Sequence, residues 1–338
     1  MRVLVTGGCG FIGSHFVKRL VAAGDDVVVL DKLTYSGNPA NLEGIEHSFL
    51  RGDVCDRAAV RGAAEGCDAV VNFAAETHVD RSLLEADDFI RTDVLGTHVL
   101  LEWARETGTR LVQVSTDEVY GDVPEGETAT EDRALLPSSP YSASKAGGDL
   151  LVSAYVRSFG ADAVVTRGAN TYGPFQHPEK LVPLFVTNAL DAEPLPLYGD
   201  GHQRRAWLHA EDHCAAIELA LREGERGGIY NVGGEERENL DVTERILVLT
   251  GADRSLVRHV EDRPGHDRRY DVDSSRIREL GWSPRRAFDE GLAETVAWYR
   301  ERRDWWEPIK SGEFRSYYDA QYATRLEEAA TRPSRTGG

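Results

Sequence analysis

The chain has 338 residues, 41% of them hydrophobic, and a formal net charge of −18. That apolar share is enough to bury a core and argues against disorder; the acidity argues against nucleic acid or an anionic membrane as partner. Its four cysteines, Cys9, Cys55, Cys67 and Cys214, show neither CxxC nor metal-ligand spacing, so reduced thiols in a cytoplasmic protein and no metal are expected.

The chain starts directly on a strand pattern, Arg2–Thr6, so no leader segment is expected. Gly7, Gly10 and Gly13 follow at once. A helical pattern then runs through Phe16, Val17, Leu20 and Val21 and closes at Gly24. Glycines at those positions allow a tight turn, close backbone approach to a pyrophosphate, and close helix–strand packing. The phosphates then face the positive end of the helix. A second strand, Val27–Leu30, ends in Asp31, an acid placed to accept from a ribose 2′-hydroxyl. Asp31 repels a 2′-phosphate whereas the adjacent Lys32 attracts one; the reading is NAD, with NADP as the minority alternative.

Further strands are expected near His47–Leu50, at Ala69–Phe73 and at Arg110–Val114, with a long helix over roughly 87–107. This alternation predicts an α/β fold built on a doubly wound parallel (Rossmann) sheet. Asp53, Ala74–Thr77 and Ser115–Thr116 all fall at strand ends, where such sheets bind ligands. The division expected is a dinucleotide-binding part over 1–167 and a smaller substrate-binding part over 168–326, some of whose segments return to the main sheet. A frayed tail is expected over 327–338. No apolar run approaches the ~18 residues that a membrane span needs.

The chemistry is concentrated in Ser115-Thr116-Asp117-Glu118-Val119-Tyr120-Gly121 and Tyr141-Ser142-Ala143-Ser144-Lys145. Tyr141 and Lys145 are four apart and share a helix face, so an ammonium sits near a phenol and eases its ionisation. A phenolate can take the proton of an alcohol while a nicotinamide takes the hydride. Lysine is scarce here (Lys18, Lys32, Lys145, Lys180 and Lys310 only), so Lys145 is not incidental surface charge. Oxidation alone does not need Asp117 and Glu118. An acid and a base at the same centre point to a further step, loss of water.

With these motifs, and with Ala75–Ser82, Tyr172–Lys180 and Arg263–Tyr270 in order, the chain resembles the extended short-chain dehydrogenase/reductase family. Within it, the sequence is similar to the dTDP-glucose 4,6-dehydratases over nearly its whole length. The resemblance implies that Tyr141 and Lys145 act at the C4 hydroxyl, that Thr116 orients it, that Glu118 takes the C5 proton and that Asp117 protonates the departing C6 oxygen. It also implies cofactor contacts from Phe11, Ile12, Asp53, Val54, Ala75 and Thr92, beside the glycines, Asp31, Lys32, Tyr141 and Lys145. A nucleotide-sugar would meet Thr77, Asn170, Lys180, Leu181, Pro196 and Tyr198, and further along Arg205, Asn231, Arg263, His266 and Tyr270. Ala206 stands where the family carries an acid after the arginine, removing a partner for Arg205. Thr77 replaces a serine, Thr171 an asparagine and Cys9 an alanine.

A nucleotide-sugar 4-epimerase or a decarboxylase shares this scaffold but ordinarily lacks the acidic pair. A non-catalytic dinucleotide sensor typically loses the tyrosine or the lysine. The family's homodimers pair two long helices per subunit. Here the segments after Asp87 and Tyr141 are the candidates, and Leu95, Val99, Leu100 and Trp103 give the first an apolar stripe. That stripe would serve equally against the subunit's own sheet.

Overall fold

The computed structural model describes residues 1–331. Its frame is a seven-stranded sheet. In chain order its strands are β1 (Arg2–Thr6), β2 (Asp26–Asp31), β3 (Ser48–Arg51), β4 (Ala69–Asn72), β5 (Arg110–Thr116) and β6 (Ala163–Gly168). The later half supplies β7 (Asn170–Tyr172), β8 (Leu195–Tyr198), β9 (Arg204–His209), β10 (Ile229–Val232), β11 (Glu235–Glu238) and β12 (Val257–Val260). The large sheet has the order β10-β6-β5-β4-β1-β2-β3, and every pairing in it is parallel. This is the doubly wound arrangement that the sequence predicts, with strands read as near-continuous apolar runs because helices cover both faces. Val3, Leu4 and Val5 are fully buried, as are Val70 and Val71.

The strand order reverses between β1 and β4, which opens a crevice at their carboxyl ends. The glycine loop, the segment after β4 and the end of β5 all meet there. β7, β9 and β11 form a small sheet, and β8 pairs with β12. These short elements pack around their own apolar cluster, which includes Trp207, Phe288 and Trp306.

The long helix expected over 87–107 is present, but its stretch Ile90–Gly96 is π-helical. The helix Pro140–Phe159 begins on a capping box, in which Ser139 and Ser142 satisfy each other's backbone amides. The stripe Val99, Leu100 and Trp103 packs into the subunit's own core. The apolar side chains left outward include Leu84 (71% exposed), Ile90, Leu95 and Leu150, with Leu83 and Phe159 also exposed. The tail expectation is corrected for residues 327–331, which continue the helix Glu313–Thr331; residues 332–338 lie outside the described residues. No helix among the described residues is long and apolar enough to cross a membrane.

Candidate active site

A continuous cleft of about 1500 Å³, solvent-open space included, runs from the glycine loop to the end of β5 and on to Lys180. At its cofactor end the helix Phe11–Ala22 starts at Gly10 with no side-chain cap, leaving its first amides free for an anion. Gly7 has φ +66°, and a Cβ there would sit 2.7 Å from the Ala74 nitrogen. A Cβ on Gly13 would lie 2.2 Å from the Gly7 carbonyl oxygen. The loop is therefore folded onto itself so tightly that the two positions admit only glycine. Asp31 accepts from the Cys9 amide (2.9 Å) and the Leu33 amide (2.8 Å), so its carboxylate is held at the lip of the cleft. Each oxygen keeps a further lone pair for a hydroxyl. Lys32 is paired with Asp53 at 3.0 Å; its charge is already answered, which removes the argument for a 2′-phosphate. Phe11, Ile12, Val54, Ala75 and Thr92 also line the cleft. A bare helix N-terminus, a glycine cradle and a held acid together fit NAD.

The reacting end lies at β5. Thr116 closes that strand and caps the short helical turn Asp117–Tyr120. Asp117 is 2% exposed. One of its oxygens accepts from Thr116 Oγ1 at 3.2 Å, and the other has no partner among the described residues. Burial, reinforced by the negative charge of Glu118, pushes its pKa up to about 8, although nearby Arg205 opposes the rise. Thr116, Glu118, Tyr141 and Lys145 line the cleft together. Lys145 Nζ donates to the Val114 carbonyl (2.8 Å) and lies 4.0 Å from an oxygen of buried Asp93. The Tyr141 phenol is pushed well above its ordinary value by burial and then by Glu118 and Asp93, with a Thr116 hydrogen bond opposing. The protein alone thus holds Tyr141 neutral, and a cationic cofactor is what would favour the phenolate.

Thr77, Asn170 and Lys180 line the same cleft, with Lys180 Nζ donating to the Thr77 carbonyl and Asn170 Oδ1 lacking a partner among the described residues. Leu181 opens the helix Leu181–Leu190, and Pro196 and Tyr198 lie on β8. Arg205, Arg263, His266 and Tyr270 form a second group beside the acidic pair. The Arg205 guanidinium lies 4.1 Å from the Tyr270 ring and donates to the carbonyls of Arg204 (2.7 Å) and Asp267 (2.8 Å). Backbone oxygens and an aromatic face therefore orient it in place of the acid that Ala206 lacks.

Against this geometry the comparisons are decisive. A family model described as GDP-mannose 4,6 dehydratase matches residues 4–295. The dTDP-glucose 4,6-dehydratase of Streptomyces niveus is 54% identical over 324 residues, 92% of this chain and 96% of the relative. The chain belongs to the dTDP-glucose 4,6-dehydratase family. The Streptomyces venezuelae dTDP-glucose 4,6-dehydratase, solved with NAD bound, superposes with a TM-score of 0.90 at 53% identity, covering 92% of this chain and 100% of that one. The Thermus thermophilus UDP-glucose 4-epimerase, solved with NAD, gives 0.84 at 36% identity over 89% of this chain and 100% of that one.

For a 4,6-dehydratase, one sequence assignment needs correction. Asn231 is fully buried; its Oδ1 accepts from Tyr120 OH at 2.8 Å and its Nδ2 donates to the Ala129 carbonyl at 3.0 Å. Wholly buried, its amide fastens the Asp117–Tyr120 turn to β10 and presents no surface to a substrate. Asn239 is the better candidate. It opens the helix Asn239–Thr250, donates its backbone amide to the Gln203 carbonyl (3.0 Å), and carries a buried Oδ1 with no partner among the described residues. The sequence reading also missed Glu76 and Asp93. Glu76 lines the cleft, and its pKa is pushed up to about 7 by burial and then by Asp88 and Asp93. It stood in a quoted motif, whereas Asp93 carried no signal beyond its place in a helical pattern.

Proposed function

We propose that the chain is an NAD-dependent hydro-lyase converting dTDP-glucose to dTDP-4-keto-6-deoxyglucose. Tyr141, with Thr116 orienting the oxygen, takes the proton of the C4 hydroxyl; Lys145 supplies positive charge below it. The glycine loop, Asp31, Tyr141 and Lys145 would hold NAD, which when bound would supply the hydride acceptor for C4 and the hydride donor for C6. The C4 ketone acidifies the C5 proton, which Glu118 removes. Asp117 gives its proton to the C6 oxygen, which leaves as water. Glu118 then returns its proton to C5, and solvent exchange carries the proton held on Tyr141 back to Asp117. Arg205, Arg263, His266, Tyr270, Lys180 and Tyr198 are assigned to the nucleotide-sugar, with Asn239 replacing Asn231.

The observation that carries this reading is the buried Asp117, one oxygen without a partner among the described residues, directly beside Glu118, which lines the cleft with Thr116, Tyr141 and Lys145. An acid and a base side by side are what an elimination needs. The test is to incubate the purified protein with dTDP-glucose and no added cofactor. Loss of one water with appearance of a keto-sugar supports the dehydratase. Unchanged mass with galactose formed supports the epimerase, which the similarity to the Thermus enzyme keeps as the second reading. We also assign a homodimer formed through the outward apolar side chains Leu84, Ile90, Leu95 and Leu150, which come from three helical segments. Sedimentation of a Leu150→Glu variant as monomer would support it.

A further inference from the structure

The helix Glu313–Thr331 lies wholly beyond the residues 4–295 matched by the family model. Its side chains nevertheless reach the segment that carries Thr77. Gln321 Nε2 donates to Tyr198 OH (2.8 Å) and to Asp80 Oδ2 (3.3 Å). Tyr198 OH donates in turn to the same Asp80 oxygen (2.8 Å). The other oxygen of Asp80 accepts from Arg263 Nη1 at 3.1 Å. One carboxylate, 3% exposed, therefore ties together four segments: the helix Val79–Leu84, β8, the Arg263 loop and the C-terminal helix.

The placement of that helix has a second, independent anchor. The Arg81 guanidinium lies 3.8 Å from the Tyr35 ring and 4.2 Å from the Tyr317 ring, and Arg81 Nε donates to Glu179 at 2.9 Å. Tyr35 comes from the cofactor side of the cleft, Tyr317 from the C-terminal helix, and Glu179 precedes Lys180. Arg263 is left with a buried Nε that has no partner among the described residues, so its fork is turned by Asp80 yet not used up. A guanidinium held at one nitrogen and open at others is pre-organised for an anion with two oxygens to offer. Holding it in advance lowers the cost of binding.

We propose that Asp80 and Gln321 are positioning residues of the nucleotide-sugar site, Asp80 fixing the Arg263 guanidinium and Gln321 of the C-terminal helix fixing Asp80 and the Tyr198 hydroxyl. The inference rests on the assignment of Arg263 and Tyr198 to the nucleotide-sugar. Neither Asp80 nor Gln321 is among the residues lining the cleft of Thr116, Glu118, Tyr141 and Lys145. Their loss should appear in substrate binding and leave the chemical step in place.

The experiment uses the holoenzyme, with dTDP-glucose turnover and dTDP binding by calorimetry measured for the parent, Gln321→Ala and Asp80→Asn. Gln321→Ala should raise KM about fivefold and Asp80→Asn about tenfold or more, with matching losses of dTDP affinity and kcat within about threefold. Retained NAD and the melting temperature of Gln321→Ala should match the parent. Unchanged KM and dTDP affinity in both variants would overturn the proposal. So would a parallel fall of kcat, NAD content and melting temperature in Gln321→Ala, because that is the mark of a merely structural contact. Should the parent fail to dehydrate dTDP-glucose, the functional reading falls; a weakened dTDP affinity in the variants would still support the positioning role.

Discussion

A dry site and a negative neighbour each favour the protonated form of a carboxylic acid, and Asp117 has both. Its folded pKa, near 8, lies above the ~3.9 of a free aspartate. The stability it contributes is thus full below the unfolded value and lost as pH rises through about 8. Two outcomes follow from that sign. Turnover should fall as pH rises past about 8, as the general acid loses its proton. Asp117→Asn, which cannot ionise, should lose about 10²- to 10⁴-fold in kcat, yet melt at a higher temperature than the parent at pH 9. Parallel melts and pH–rate profiles check both, and a parent profile flat to pH 9.5 would contradict the acid role. Asp117 and Glu118 were legible in the sequence because they are contiguous with Thr116. The proposed exchange of Asn231 for Asn239 was not, because it requires knowing which amide is wholly buried inside the protein.

Two helices set the reacting groups. Tyr141 sits in the first turn of Pro140–Phe159, so the capping box beneath it fixes both the helix start and the phenol. Ser139→Ala should cost about 1 kcal/mol of stability and lower kcat as well, measured by denaturant titration and steady-state kinetics. The other helix departs from the 3.6 period: its π-helical stretch Ile90–Gly96 holds Asp93 buried, where Ser144 Oγ donates to it at 2.6 Å and Lys145 lies 4.0 Å away. A periodicity read from sequence assumes a uniform helix, so this inward turn could not be seen. Asp93→Ala removes the carboxylate facing Lys145 and should lower kcat about tenfold. Asp93→Asn keeps an acceptor for Ser144 and should fall less; equal losses would show that the charge is what counts.

At the scale of the molecule, the first half was readable because parallel strands buried on both faces print long apolar runs in the sequence. The second half was not, because β7 to β12 are three to six residues long and their partners are set by distant segments. Its most consequential element is β10, which leaves the smaller part and pairs with β6 at the edge of the main sheet. The helix Ala210–Glu223 goes with it: Cys214, Ile217 and Leu221 share a core with Val3, Val71 and Val112. Arg110, at the start of β5, donates to the Ala220 carbonyl at 3.1 Å. A cut after residue 167 therefore severs a continuous sheet and uncovers one of its faces. Two sequence-contiguous halves joined this way unfold together. The full chain should show one denaturant transition by fluorescence and by circular dichroism. A fragment 1–167 should bind a hydrophobic dye and lack near-ultraviolet dichroism, since β6 becomes an open edge and the Val3–Val71 face loses its cover. Two separated transitions, or a fragment with native-like dichroism that retains NAD, would mean that the dinucleotide-binding half is an autonomous folding unit and that β10 only leans on it.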